Sequence, residues 1–331
     1  MEKELVERLN VPFRAIPAAG VHGVGLRALP HNIWRLVRGT FASRRILCEF
    51  QPDALFFTGG YVAVPMALAG RRTPTLLYVP DIEPGLALKV LSRFADRIAL
   101  TAEASRKYFP DRGQMVVTGY PTRPELGRWE RASARQKLGL DARAPVVLVF
   151  GGSKGARSIN QAAKAVLPEL LTLAQVVHIT GTLDWKEIEA AREALPAELV
   201  ERYHAFPYLH EEMGAALAGA DLAVSRAGAS TLGEFPLFGL PAILVPYPYA
   251  WRYQKVNADH LTSHGAALIL EDVRLKTDLL PTITDLLENR QKLERMSEAM
   301  RKLASPQAAR KLAQIATSLA DKQPDTLGDL A

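Results

Sequence analysis

The chain has 331 residues, of which 48% are hydrophobic and 23% charged, and its mean hydropathy is −0.01. These values are typical of a soluble globular protein and exclude a disordered or fibrous chain, while the length predicts about two domains. The one cysteine, Cys48, cannot form an internal disulfide, and no cluster of Cys and His has zinc spacing, which favours a reducing compartment and no structural metal.

The net charge of +6 is unevenly distributed along the chain. Residues 1–140 hold 21 Lys and Arg against 12 Asp and Glu, a net charge of +9, whereas residues 141–331 hold 20 against 23, a net charge of −3. This asymmetry indicates either an anionic partner for the N-terminal half, such as nucleic acid, phospholipid or pyrophosphate, or a solvated basic surface.

The first ten residues, MEKELVERLN, have a charged helical pattern rather than that of a signal peptide. The longer apolar stretches, such as 145–150 and 240–246, have the length of strands and are far shorter than a membrane-spanning helix. Any membrane association is therefore expected to be peripheral.

Short apolar runs alternate with helical patterns in the first half of the chain. Strands are predicted at 53–57, 75–79, 97–100 and 115–118, and helices near 33–50, 61–70, 84–95 and 103–109. Before them, the first plausible strand lies near 13–16. Since a doubly wound domain normally opens with a strand and a glycine turn, the pattern suggests that a first βαβ unit is missing from this domain.

The alternation restarts after the polar segment 126–143. Strands are predicted at 146–150, 176–180, 203–205, 222–225, 242–245 and 267–269, and helices near 156–172, 184–194, 210–218, 230–238, 254–264 and 275–303. Two βαβ series predict an α/β protein with two doubly wound, Rossmann-like domains. The expected division is an N-terminal domain at 1–140, a C-terminal domain at 141–305 and a C-terminal helix and tail at 306–331.

Ligands of such folds lie at the carboxyl ends of the strands, so the loops there are candidate sites. The strand at 146–150 leads into Gly151-Gly-Ser-Lys-Gly-Ala156 and then a helix, whose N-terminal N–H groups could face a phosphate. The loop has neither the Walker A spacing nor the Gly-x-Gly-x-x-Gly pattern, so a purely structural turn is the alternative.

A second glycine-containing turn, Ser225-Arg-Ala-Gly-Ala-Ser-Thr231, follows the strand at 222–225. Gly228 and the next N–H groups could hold a pyrophosphate, with hydroxyls from Ser230 and Thr231, while Glu234 could accept hydrogen bonds from a ribose. Alternatively, Thr231-x-x-Glu234 forms a capping box at the start of the helix.

Further loops add polar groups. Residues 246–257 form a Pro- and aromatic-rich loop leading to Gln254 and Asn257, which share one helix face and could bind sugar hydroxyls or simply face solvent. The segment 58–65, with Gly59, Gly60 and Tyr61, provides a backbone anion site in the N-terminal half. Arg123 could pair with phosphate or with a surface carboxylate.

Together these motifs resemble glycosyltransferase family 28, the MurG-type enzymes that transfer N-acetylglucosamine from UDP-N-acetylglucosamine to the undecaprenyl-linked muramyl-pentapeptide precursor of peptidoglycan. The resemblance extends from about residue 4 to about residue 310. Its best matches are Gly59-Gly-Tyr-Val, Gly119-Tyr-Pro-Thr-Arg123, the loop 151–157 with Asn160, Arg226-Ala-Gly-Ala-Ser-Thr231 with Glu234, Gly239-Leu-Pro-Ala-Ile-Leu-Val-Pro246, and Gln254 with Asn257.

The resemblance implies a GT-B architecture, in which two Rossmann-like domains face a central cleft, with the donor held by the C-terminal domain and the lipid acceptor by the N-terminal one. It implies no metal and no cofactor beyond the donor substrate. The residues that it assigns to the donor are Arg123, Ser153, His210, Gly228, Ala229, Ser230, Thr231, Glu234, Gln254 and Asn257. Gly59, Gly60 and Tyr61 are assigned to the acceptor pyrophosphate.

Several positions depart from the family pattern. The glycine-rich loop with the histidine thought to deprotonate the acceptor is absent, and Tyr78-Val-Pro-Asp81 stands where a His-Glu-Gln-Asn motif is expected. Tyr120 replaces an asparagine and Tyr253 a glutamine. The catalytic base is therefore unassigned, with Asp81 and His22 as candidates.

The segment 26–50 interleaves apolar and basic residues, as in a helix lying on an anionic bilayer. The alternative is an amphipathic helix packed on its own sheet. Since the resembled family is peripheral to the cytoplasmic membrane face, we predict membrane contact there and no nucleic-acid binding. The residues predicted to contact the membrane are Arg27, Trp34, Arg35, Arg38 and Phe41.

Two other functions fit parts of the pattern. One is a related glycolipid glycosyltransferase or a UDP-N-acetylglucosamine epimerase, although an epimerase needs cleft carboxylates and histidines that the sequence does not display as a set. The other is a nucleotide-sugar-binding subunit or an inactive remnant, which the missing opening unit motivates.

Overall fold

The computed structural model describes residues 2–7, 10–19, 27, 29–109, 114–152, 155–248 and 253–322. Within these residues the chain forms two parallel β-sheets with helices between the strands, which confirms the predicted α/β fold class. Most predicted strands lie within one or two residues of the observed bounds. The segment 13–16, predicted as a strand, has no regular secondary structure.

The N-terminal sheet has four parallel strands that pair in chain order: β1 (Leu55–Phe57), β2 (Thr75–Val79), β3 (Arg97–Leu100) and β4 (Gln114–Val117). The helices of this half are α1 (Glu2–Glu7), α2 (Leu29–Phe50), α3 (Ala63–Ala69) and α4 (Leu86–Leu91), with a 3-10 helix at Glu103–Tyr108. Strand β2 is buried along its whole length, as expected of a parallel strand covered on both faces.

A 3-10 helix at Leu126–Arg128 and helix α5 (Arg131–Lys137) follow the first sheet. Although the predicted boundary assigns α5 to the N-terminal domain, this helix packs on α10 (Met213–Gly219) of the second unit. Buried Arg135 fixes it there: Nε donates to the Gly219 carbonyl at 3.0 Å and Nη2 to Asp221 at 2.7 Å.

The second sheet has six parallel strands in the order β10-β9-β8-β5-β6-β7. They are β5 (Val146–Phe150), β6 (Gln175–Ile179), β7 (Tyr203–Phe206), β8 (Leu222–Ser225), β9 (Ala242–Leu244) and β10 (Ala267–Ile269). The other helices are α6 (Arg157–Ala165), α7 (Leu167–Leu173), α8 (Trp185–Glu193), α9 (Ala197–Val200), α11 (Thr231–Phe238), α12 (Tyr253–Ser263), α13 (Leu275–Glu288), α14 (Arg290–Arg301) and α15 (Ala308–Ala320), with a 3-10 helix at Asp272–Arg274.

Two helices predicted as continuous are divided. The helix expected at 156–172 ends at Ala165, and a new one starts at Leu167 with a proline in its first turn, where the missing N–H costs nothing. The helix expected at 275–303 restarts after Asn289, whose side chain accepts the Lys292 N–H as an N-cap.

Helix α15 returns from the second unit to the first. Leu312 and Ile315 join a buried cluster with Leu76 and Tyr78 of β2 and Ala99 of β3. The chain therefore connects the two units twice, once through residues 119–130 and once through the segment before α15.

Candidate active site

The order of the second sheet reverses between β5 and β8, which pair with Phe150 opposite Ser225. In open α/β sheets, the crevice outside the carboxyl ends of the two strands at such a reversal is where ligands bind. The loops that leave these two strands are 151–156 and 226–230. The fold therefore brings together the two glycine-containing turns identified from the sequence.

The turn after β5 depends on glycine. Gly155 has a φ of +78°, and a Cβ there would lie 2.1 Å from the Thr180 carbonyl oxygen. The helix after the turn is anchored by buried Asn160, whose Nδ2 donates to the Thr180 carbonyl and to Asp184, both at 2.8 Å. Ser153, predicted to lie near the donor, is outside the described residues.

The turn after β8 presents free backbone donors. The N–H groups of Gly228, Ala229 and Ser230 donate no hydrogen bond to any residue that the structure describes. They directly precede the N-terminus of α11, where the helix dipole is positive. This geometry suits a pyrophosphate.

Thr231 and Glu234 do not form the capping box that was the alternative interpretation of this segment. The N-cap of α11 is Ser230, which makes no side-chain cap, and the Thr231 hydroxyl donates to the Gly228 carbonyl at 2.7 Å. That bond braces the turn internally. Glu234 is thereby left out of the cap.

Glu234 lies one turn inside α11 and is half-buried. Within the described chain its carboxylate accepts no hydrogen bond. Burial raises its pKa, and the positive charge of Arg123, itself exposed, partly opposes this rise. A carboxylate with free acceptor oxygens beside an anion-binding turn can accept hydrogen bonds from a diol.

The two amides of α12 have different surroundings. Gln254 is half-buried, and its Oε1 accepts the Tyr247 N–H at 2.8 Å, which braces the loop before the helix. Asn257 is completely buried and links three segments. Its Nδ2 donates to Asp81 Oδ1 at 2.8 Å and to the Ala227 carbonyl at 3.2 Å, and its Oδ1 accepts the Ile82 N–H at 3.0 Å.

Asn257 therefore joins the turn after β8 of the second unit to the loop after β2 of the first. In this arrangement its amide is engaged by protein groups, and the prediction that it binds sugar hydroxyls stays a prediction. The sequence could not reveal the bond to Asp81, since the two residues are 176 positions apart.

Tyr120 lies beside this junction, from the segment that connects the two units. Burial raises the pKa of its hydroxyl, and so do the neighbouring charges of Glu234 and Asp81. The four side chains Tyr120, Arg123, Glu234 and Asp81 thus share one electrostatic neighbourhood between the two sheets.

Arg226 is a residue to which the sequence analysis gave no role. Its Nη1 donates to the Val245 carbonyl at 3.0 Å and to Asp272 at 2.5 Å, and its Nη2 donates to the Ser158 hydroxyl at 2.8 Å. Its guanidinium also lies 5.1 Å from the centre of the Tyr247 ring. The signal in the sequence was an arginine directly after a buried strand. In the structure it ties the turn after β8 to Ser158, Val245 and Asp272.

His210 lies before α10 and is exposed, with its ring 4.5 Å from that of Tyr208. In the first sheet, Gly59 and Gly60 follow β1 with φ values of +111° and +79°, and the next residue, Tyr61, is exposed. The loop at the carboxyl end of β1 therefore has a positive-φ backbone that favours glycine.

Helix α2 exposes the apolar residues that its sequence pattern singled out. Trp34 is 53% and Phe41 69% exposed, and the exposed side chains of Ile33 and Val37 lie on the same side of the helix. Arg38 stacks over the Trp34 ring at 4.7 Å. The same helix packs on the first unit through another face, where half-buried Leu47 contacts the core of that sheet, so both membrane contact and the packed-helix alternative stay open.

Arg27 and Arg35 are exposed near the same end of α2. Across the described ranges, no helix is long and apolar enough to cross a membrane. Nor do the described residues contain a group of three or more His, Cys, Asp and Glu side chains placed to hold a metal ion.

Comparison with known proteins gives a consistent result. Residues 1–100 match the glycosyltransferase family 28 N-terminal domain, and residues 146–314 match the glycosyltransferase family 28 C-terminal domain. The UDP-N-acetylglucosamine--N-acetylmuramyl-(pentapeptide) pyrophosphoryl-undecaprenol N-acetylglucosamine transferase of Roseiflexus sp. (strain RS-1) is 41% identical over 353 aligned positions, which cover 95% of this chain and 80% of that protein.

Among solved structures, MurG of Acinetobacter baumannii is similar with a TM-score of 0.75 and 29% identity, over 96% of this chain and 88% of that one. A putative UDP-N-acetylglucosamine 2-epimerase from Listeria monocytogenes has a TM-score of 0.66 at 15% identity, over 98% and 88% of the two chains, which shows a shared fold alone. The predicted GT-B architecture is thereby confirmed, and the chain belongs to glycosyltransferase family 28.

Proposed function

We propose that the chain transfers N-acetylglucosamine from UDP-N-acetylglucosamine to a lipid-linked muramyl-pentapeptide acceptor, the reaction after which its relatives are named. One observation carries this proposal. The free N–H groups of 228–230 lie at the start of α11 and the carboxylate of Glu234 lies one turn deeper in the same helix, an arrangement that supports binding of the pyrophosphate and ribose of a UDP-sugar.

In this proposal the donor lies across the carboxyl ends of β5 and β8. The turn 228–231 holds the pyrophosphate, Glu234 the ribose, and the segment at His210 the uracil. Gln254 serves the sugar, Asn257 holds the turn at Ala227 against the first unit, and Ser153 and Arg123 border the cleft.

The chemistry is a direct displacement at the anomeric carbon with inversion. The departing UDP gains negative charge, and backbone N–H groups at a helix N-terminus are preorganised to stabilise it. A base on the acceptor side removes the proton of the attacking hydroxyl.

The acceptor belongs to the N-terminal half, whose net charge of +9 suits a lipid pyrophosphate. Gly59, Gly60 and Tyr61 would hold its pyrophosphate, and the exposed stripe of α2 would lie on the anionic cytoplasmic face of the cell membrane. The protein would thus be peripheral, with the aromatic side chains in the headgroup region and the arginines paired with lipid phosphate.

The test is UDP release from UDP-N-acetylglucosamine, measured with and without an undecaprenyl-pyrophosphoryl-muramyl-pentapeptide in detergent micelles. Release that depends on the acceptor supports the proposal, and release of 2-epimerised sugar or no turnover contradicts it. Donor affinity is then compared for Glu234→Ala and for Glu198→Ala, an exposed carboxylate of α9 away from the site. Equal donor affinity in both variants would refute the site.

A further inference from the structure

The loop after β2 carries a carboxylate into the junction between the two units. Asp81 is half-buried, and its Oδ1 is held by the Nδ2 of completely buried Asn257 at 2.8 Å. We propose that Asp81 is the general base that deprotonates the acceptor hydroxyl and that Asn257 orients it. This inference rests on the proposed function.

The position of Asp81 suits that role. It lies at the carboxyl end of β2, in the domain proposed to hold the acceptor, and Asn257 ties it to Ala227 at the base of the donor turn. A base in this reaction must reach the acceptor hydroxyl while the donor is bound across the cleft, and the junction brings those two sides together.

One oxygen of Asp81 is available for a proton. While Oδ1 accepts from Asn257, Oδ2 accepts no hydrogen bond from any residue that the structure describes. The arrangement is that of a base fixed by an orienting donor on one side and open on the other.

The other titratable groups nearby are less suited. Glu83 is buried and lies 3.9 Å from Lys89, and the Tyr78 hydroxyl is 2.7 Å from Thr101 Oγ1. Tyr120 faces both Asp81 and Glu234, but burial raises the pKa of its phenol above the ordinary value of about 10, so it keeps its own proton.

The electrostatics of Asp81 support the geometry. Burial raises the pKa of its carboxyl above the ordinary value, and the hydrogen bond from Asn257 opposes the rise in part. Tyr78, Tyr120, Glu234 and Arg123 are the other titratable or charged groups that share this neighbourhood. A carboxylate becomes a better proton acceptor as its pKa approaches the working pH.

The step is balanced. The acceptor oxygen forms a bond to the anomeric carbon while the bond from that carbon to the pyrophosphate oxygen breaks. UDP leaves with the electron pair, and the hydroxyl proton moves to Asp81 Oδ2, from which solvent removes it after product release.

The test compares Asp81→Asn, the exchange Asp81→Asn with Asn257→Asp, and Asp53→Asn as a control. Asp53 is an exposed carboxylate before β1. The asparagine at 81 keeps the shape and an oxygen that can accept from Asn257 but cannot take a proton. The exchanged pair keeps an amide hydrogen-bonded to a carboxylate but places the carboxylate on α12. The probe is the same acceptor-dependent UDP release, with donor affinity measured by UDP titration.

We expect Asp81→Asn to lower kcat about 100-fold or more, with donor affinity within threefold of the wild type and the acidic limb of the kcat profile against pH lost. The exchange should leave kcat as low as in Asp81→Asn, because the carboxylate then lies on α12 rather than at position 81. The inference would be overturned if the exchange restored kcat or if Asp81→Asn lowered kcat less than threefold. It would also be overturned if donor affinity fell in parallel with kcat. In each case the pair of Asp81 and Asn257 would have a structural role only. A wild-type protein without acceptor-dependent turnover would instead refute the proposed function itself.

Discussion

Tyr120 packs directly on Gly233 of α11: a Cβ added to Gly233 would lie 2.6 Å from Cδ1 of the Tyr120 ring. The contact joins the segment between the units to the helix that follows the turn 228–230. Glycine at 233 is therefore required for close approach rather than for an unusual backbone angle.

We expect Gly233→Ala to destabilise the protein by about 1–3 kcal/mol, because the ring or the helix must shift to admit the methyl group. Urea unfolding monitored by circular dichroism measures the change. Gly127→Ala is the matched control, since a Cβ there meets nothing within 4 Å. An unchanged midpoint for Gly233→Ala would contradict the packing described.

The carboxyl of Glu234 links stability to pH. Burial raises its pKa, so the folded chain binds this proton more tightly than the unfolded chain does. The protonated carboxyl makes its full contribution to folding stability below the ordinary glutamate pKa. This contribution is lost as the pH rises through the raised pKa of the folded chain. Glu234→Gln should therefore stabilise the protein at pH 7.5 but not at about pH 4, near the ordinary glutamate pKa.

The same substitution should weaken donor binding about 10- to 100-fold, the cost of replacing a charged acceptor in a hydrogen bond. Urea midpoints at the two pH values and a UDP titration measure the two effects. Glu198→Gln removes a similar charge from an exposed site and should change neither. If Glu234→Gln were less stable than the wild type at pH 7.5, the folded chain would stabilise the ionised carboxylate, which would contradict this prediction.

Arg226 should be the arginine to which the donor site is most sensitive. Arg226→Ala removes the partner of Asp272 and the donors to Ser158 and Val245, and we expect it to cost about 3 kcal/mol and to weaken UDP binding. Arg290→Ala breaks an exposed pair with Glu294, in which the arginine is 88% exposed, and should cost less than about 0.5 kcal/mol. Similar urea unfolding midpoints for Arg226→Ala and Arg290→Ala would contradict the role assigned to Arg226.

His178 should make the protein sensitive to mild acid. Its ring is buried between the Tyr203 hydroxyl at 2.8 Å and Asn160 Oδ1 at 3.1 Å, and burial lowers its pKa to about 3. Between the ordinary histidine pKa of about 6.5 and that value, only the unfolded chain binds the proton, so stability falls with decreasing pH by up to about 1.4 kcal/mol per unit.

The measurement compares urea midpoints of the wild type and His178→Gln between pH 7.5 and pH 5. His204 and His260, whose pKa values burial also lowers, are present in both proteins, so the difference in slope reports His178. Parallel slopes would mean that the ring is protonated in the folded chain.

The exposed stripe of α2 predicts binding to anionic vesicles. Trp34→Ala with Phe41→Ala should lower the partition coefficient onto phosphatidylglycerol-containing vesicles more than tenfold, since each aromatic contributes about 1.5–3 kcal/mol when buried. Phe50→Ala is the control: Phe50 is 75% exposed but lies nine residues after Phe41, on the opposite side of the helix. Equal partition of both variants in a sedimentation assay would refute the orientation.

Much of the fold was predictable because buried parallel strands are continuous apolar runs. The strands at 75–79, 97–100, 146–150, 222–225 and 267–269 were predicted at their observed bounds. The position of the turn 228–231 was predictable for the same reason, since a glycine-containing segment that follows such a strand must lie at the carboxyl edge of the sheet.

Other features depend on tertiary contacts that no local pattern carries. Helix α5 belongs to the second unit because Arg135 finds Asp221 and Gly219 more than 80 positions away. Asn257 resembled an exposed helix amide in sequence, yet its partner lies in the other sheet. The segment at 13–16 has an apolar pattern, but it pairs with no strand among the residues that the structure describes.

The return of α15 to the first sheet has a consequence for biosynthesis. Leu312 and Ile315 supply part of the core under β2 and β3, yet they are translated after the whole second unit. The unit that emerges first from the ribosome is therefore the last to be completed, and its apolar surface at Leu76 and Ala99 stays uncovered until residues near 315 arrive. Folding of this chain cannot proceed strictly one domain at a time, as it does for most two-domain proteins.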